Sequence, residues 1–133
     1  AKEENRYYLA GALYLAERWE EAQNIFEALL SEKPDNIDYK GYLGSIAARL
    51  GDREKALRIS DELKALTKSY LFGGHTYWRA CIASLLGEKE QAVALLRESF
   101  AQGREYGVYF HRDMDLQPLR DYPPFQEFLK PKG

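Results

Sequence analysis

A chain of 133 residues with 45% hydrophobic side chains holds enough apolar surface for one core and too little for two. Its 19 basic and 21 acidic side chains leave a net charge of -2 with no basic run or helical stripe, which argues against direct binding of nucleic acid. Apolar stretches such as 80–86 stop far short of the roughly 20 residues that a membrane helix needs, and the lone Cys81 excludes an internal disulfide or a multi-cysteine metal site.

In chain order, Tyr7, Leu9, Ala10, Leu13, Tyr14 and Ala16 recur at three- and four-residue spacing and predict an amphipathic helix over 3–17. Trp19, Ala22, Ile25, Phe26, Leu29 and Leu30 repeat the pattern in a second helix, with Glu20 and Glu21 in the first turn, where the helix dipole favours negative charge. Pro34 disfavours helical geometry at Lys33, and Asp35 or Asn36 is placed to cap the next helix. That third helix is expected over 37–50, then Gly51 suited to a left-handed cap, Asp52 as N-cap, and a fourth helix from Arg53 to about Ser69. Residues 70–74 hold two extra positions before a fifth helix over 75–86, a turn at Gly87, and a sixth helix over 88–102 closed by Gly103. Residues 104–112 show no helical period, 113–121 read as a short capped helix, and Pro123 and Pro124 open a last one carrying Phe125, Phe128 and Leu129 on one face.

The same punctuation recurs at a fixed step. Leu9 and Ala22 stand 34 residues before Leu43 and Ala56, and Gly51 and Ala56 stand 36 residues before Gly87 and Ala92. Ala22, Phe26 and Pro34 fall on the A-x3-F and later P positions of the tetratricopeptide pattern. The chain therefore resembles a three-repeat tetratricopeptide (TPR) domain. That resemblance implies an all-α fold, a right-handed α-α superhelix of three helical hairpins (3–35, 36–72 and 73–103) with a C-terminal helical cap (104–133). The stretch from His111 to Asp121, followed by Pro124-Phe125-Gln126, is similar to the closing segment of TPR regions in large bacterial signalling proteins, among them serine/threonine kinases and transcriptional regulators. In those it ends the array, which implies that Gly133 ends the parent chain. A start at Ala1 fits a piece of a longer protein or a mature chain left after cleavage at a small residue. The cytoplasm is the expected compartment, or an extracytoplasmic one if the parent spans a membrane upstream.

The family's first helices line a concave groove, so the resemblance places Tyr7, Gly11, Tyr14, Gly41, Tyr42, Ser45, Arg49, Tyr77, Trp78, Cys81 and Ser84 on or near it. Tyr8, Tyr42 and Trp78 share one repeat position, and this aromatic row either offers contact area to a partner or packs each first helix on the preceding hairpin. The family's carboxylate clamp falls on Tyr7, Gly11, Tyr42, Gly74 and Trp78, none of them a clamp residue, so an apolar or aromatic segment is the expected ligand rather than an acidic chain terminus. His111, Asp113 and Asp115 offer metal-ligand types, but no second ligand cluster stands near them in sequence, and helix capping explains the aspartates. Cys81 with His75 lacks a third orienting group, and Gly73-Gly74 lacks the lysine of a phosphate loop. The expectation is a binding module without catalytic residues, cofactor or metal. It would bind protein or peptide as a monomer or weak homodimer, with a self-association scaffold as the alternative.

Overall fold

Four turns among the described residues are built alike, each around one residue with left-handed backbone. Glu17, Gly51 and Gly87 have φ of 62°, 82° and 83°, and the next amide in each case reaches back five residues, from Arg18 to Leu13, Asp52 to Ala47 and Glu88 to Ala83, at 2.8–2.9 Å. This bond satisfies a carbonyl that the helix end would leave open. Gly103, with φ of 113°, repeats the arrangement through the Arg104 amide and the Ser99 carbonyl. Glycine adopts this geometry freely, whereas a side chain there costs about 1–2 kcal/mol. Glu17 is the exposed exception, so Glu17→Gly is expected to raise stability by about 1 kcal/mol. An unchanged denaturant midpoint would show that the turn carries no strain.

The computed structural model describes residues 2–66, 71–104 and 113–130. The described residues are helical with no strand: α1 (Lys2–Leu15), α2 (Trp19–Glu32), α3 (Ile37–Arg49), α4 (Arg53–Lys64), α5 (Gly74–Leu85), α6 (Lys89–Ala101), a 3-10 helix η1 (Met114–Leu119) and α7 (Pro123–Leu129). The Asn36 side chain caps α3 by accepting from the Tyr39 amide at 3.0 Å, and Asp52 caps α4 by accepting from the Lys55 amide at 3.2 Å. α4 ends at Lys64 rather than near Ser69, which lies outside the described residues. Pro118, without an amide hydrogen, sits inside η1, whose ends close through three-residue bonds from Leu116 to Asp113 and from Arg120 to Gln117.

α1 folds back on α2, α3 on α4 and α5 on α6; α2 also packs on α3, α4 on α5, and α3 on α5. Small residues stand at these crossings. Ala10, Ala22, Ala56, Ala80 and Ala92 are fully buried, and a Cβ on Gly44 would run into Ile82. One core cluster centres on Phe26, Leu29, Ile46 and Leu63, a second on Leu95, Leu96, Leu116, Leu119, Phe125 and Phe128. η1 packs on α5 and α7 on α6, so Leu116, Leu119, Phe125 and Phe128 lie against the last helix pair; Tyr109, expected among them, lies outside the described residues. Ser60 occupies the place that Phe26 holds in the first pair and Leu96 in the third. Its hydroxyl accepts from Nε of the buried Arg79 at 3.2 Å, so a polar pair fills the gap left by a missing aromatic. No helix among the described residues is long and apolar enough to cross a membrane.

Candidate partner-binding groove

Three of the residues expected to line an open groove, Tyr14, Arg49 and Tyr77, hydrogen-bond to the chain's own C-terminal segment. Asp113 opens η1 by accepting from the Asp115 amide at 2.9 Å, which is the capping role expected of it, and it also accepts from the Tyr77 hydroxyl of α5. Asp115 does something else. Its side chain, in a residue 4% exposed, accepts from the Tyr14 hydroxyl of α1 at 2.5 Å and from Nη2 of Arg49, at the end of α3, at 2.7 Å. Nε of Arg49 donates to the Tyr14 hydroxyl at 2.9 Å, closing the set. The Arg49 guanidinium lies over the rings of Trp19, at 4.5 Å, and Tyr14, at 5.2 Å. One short 3-10 turn thus bonds to the first helix of each of the three pairs.

The residues expected in the groove divide between the packed interior and a cleft beside η1. Tyr14, Ser45, Tyr77 and Cys81 are buried, and Ser84 with them. Gly41 is a seat for Trp78 rather than a groove position, since a Cβ there would lie inside the indole ring. Tyr7 packs edge-on to Phe26 and Tyr42, at 6.2 Å from each, and Gly11 has open space where a side chain would begin. The aromatic row is divided. Tyr42 stacks on Phe26 of the preceding helix at 4.4 Å and 10°, as the packing alternative requires, while Tyr8 is 63% exposed. Trp78 lies 4.8 Å from Tyr42 and donates from its indole nitrogen to Asp38 at 3.0 Å.

Beside the inserted turn a cleft of about 520 Å3 stays open. Tyr14, Tyr42, Tyr77 and Trp78 supply its aromatic walls, and Asp38, Asp113, Asp115 and Arg104 its charged groups. The guanidinium of Arg104 lies 4.3 Å from the centre of the Tyr77 ring. Burial raises the pKa of the Tyr42 hydroxyl, and neighbouring groups that include Asp115 and Asp38 raise it further. Burial likewise raises Tyr77, with Cys81 and Asp113 adding to it. Burial and then Asp113 push the Asp115 carboxyl up, and burial followed by the two aspartates pushes the Cys81 thiol well up, which disfavours its thiolate. Oxygens of Asp113 and Asp115 come within 4.8 Å of Cys81 Sγ and of one another, a grouping of metal-ligand types that the sequence separates by more than thirty residues. Both carboxylates already accept from Tyr14, Arg49, Tyr77 and a backbone amide. The third member of the sequence triplet, His111, lies outside the described residues.

What reasoning along the chain missed was Asp115 as a buried acceptor, together with Asp38 and Arg104. No family model, curated protein or solved structure gives a significant match to this chain.

Proposed function

We propose that the chain is a TPR-type superhelix of three hairpins that works as a protein-interaction module, holding a segment of a partner in the cleft beside η1. The observation that carries this reading is the cleft itself. A cavity of about 520 Å3 walled by residues of α1, α3 and α5 is where a repeat array of this kind would receive a peptide. The 34- and 36-residue period, with the same left-handed turn at Glu17, Gly51 and Gly87, supports the repeat assignment. On this reading the chain is a binding part of a larger cytoplasmic signalling or regulatory protein, bacterial by its resemblance, and not an enzyme. The second reading, a self-association scaffold, draws on the apolar side chains that α1 leaves exposed, Leu9 at 53% and Leu15 at 71%.

Selection from a random peptide display library on the immobilised whole chain, with NMR mapping of the enriched peptides, tests the first reading. The expected result is a shift of the Trp78 indole N–H with the outer faces of α2 and α4, around Glu27 and Arg58, unmoved. Peptides that map to Glu27 and Arg58 would overturn the cleft as the binding site. A concentration-dependent dimer in light scattering, with no peptide enriched, would favour the scaffold.

A further inference from the structure

The segment that fills one end of the groove is not a removable plug. Leu116 and Leu119 are 2% and 0% exposed, and they share a core cluster with Phe125, Phe128 and the buried face of α6. Lifting η1 off would return Leu116 and Leu119 to water, so Asp113 and Asp115 belong to the groove wall in the folded chain. Their presence changes what the cleft can accept. Arg49 answers Asp115 at 2.7 Å, which leaves Asp113 and the exposed Asp38 facing the cleft with Arg104 as the one cation among its described lining residues. An aromatic pocket with surplus negative charge is the chemistry that holds a cation, because ring faces and carboxylates both attract it. The described residues already set cations on ring faces, among them Arg49 over Trp19 and Tyr14 and Arg104 over Tyr77.

We infer that the cleft takes a cationic side chain, an arginine or lysine of a partner polypeptide, laid against Trp78 and Tyr42 with its charge between Asp38 and Asp113. This rests on the interaction-module reading and names the partner's chemistry. It also revises the apolar ligand expected from sequence, which left the tail's carboxylates out of the groove.

Three short capped peptides, identical except for a central arginine, citrulline or glutamate, are titrated into the whole chain while the Trp78 indole N–H is monitored by NMR. Citrulline keeps the shape of arginine and removes the charge. The arginine peptide is expected to bind about tenfold more tightly than the citrulline peptide and to weaken as salt is added. Asp38→Asn keeps an oxygen to accept from Trp78 at an exposed position, and should cut the arginine peptide's affinity about threefold with only the small fall in melting temperature that loss of a first-turn acid brings. Equal binding of the arginine and citrulline peptides, tighter binding of the glutamate peptide, or no effect of Asp38→Asn on the arginine peptide would each overturn the inference. In those cases the interaction module survives if library peptides still map to Trp78. No shift with any of the three peptides overturns the cationic site, and the display selection then decides separately whether the cleft binds protein at all.

Discussion

Replacing Asp115 with alanine is expected to cost about 3–5 kcal/mol, measured as the loss of unfolding free energy in denaturant, because the substitution strands a buried hydroxyl and a largely covered guanidinium at once. Arg49, whose side chain is 16% exposed, would lose its carboxylate, and the Tyr14 hydroxyl would lose the acceptor it holds at 2.5 Å. Tyr14→Phe removes the donor to Asp115 and the acceptor of Arg49 Nε, leaves Asp115 paired with Arg49 Nη2, and should cost about 1 kcal/mol. A loss below about 1 kcal/mol for Asp115→Ala would mean that water already serves both groups.

The pH dependence at this site has a definite sign. Burial, with Asp113 second, raises the Asp115 carboxyl above its ordinary value of 3.8 in the fold, so ionising it costs more folded than unfolded. Its contribution is full below that ordinary value and declines as pH rises through the folded one. The stability advantage of the native chain over Asp115→Asn is therefore expected to be larger at acid pH than at neutrality. A larger advantage at neutrality would show that Arg49 and Tyr14 outweigh the burial.

Phe26→Ala should have an effect of the same size, about 3–5 kcal/mol, in the same assay. The ring is fully buried, stacks on Tyr42 at 4.4 Å, and meets Tyr7 at 6.2 Å and Tyr39 at 6.4 Å. Removing it empties the contact between the first helix pair and α3, and Tyr42 loses the face that holds it against the cleft. A thermal melt of Tyr42→Ala then serves as a second reading of the same contact. Tyr42 as pure groove surface predicts an unchanged melting temperature, whereas stacking on Phe26 predicts a clear fall. If Phe26→Ala costs under about 1 kcal/mol, the first pair does not pack on α3 as described.

These two sites divide what was legible in the sequence from what was not. Phe26 could be read because its partners obey the period. Ala22, four residues earlier, and the small residues Ala10, Gly44 and Ala80 mark where helices cross, and the turn glycines fix the frame. Glu17 hid in that frame, since the first turn lacks the glycine that marks the others. Ser60 marked a gap in the pattern, but its filling by Arg79, nineteen residues on, has no local signature. Asp113 was readable as a cap because its partner amide is two residues away. Asp115 was not, because its partners Arg49 and Tyr14 stand 66 and 101 residues earlier, and a tail outside the repeat carries no register that says which face it will meet. An extrapolated groove comes out open for the same reason. Repeat logic counts the surfaces that stacked helices leave uncovered and cannot see a non-repeating segment lying across them.

The insertion of η1 among α1, α3 and α5 is the claim on which the cleft, its charge and its occupant all depend. Its most direct test is a nuclear Overhauser spectrum of the native chain, read between the ring protons of Tyr14 and the β protons of Asp115. With the Tyr14 hydroxyl 2.5 Å from a carboxylate oxygen of Asp115, a cross-peak between these protons is the predicted result. A Tyr14 ring that shows contacts to Trp19 and Tyr42 but none to Asp115 or its neighbours in η1 would contradict it.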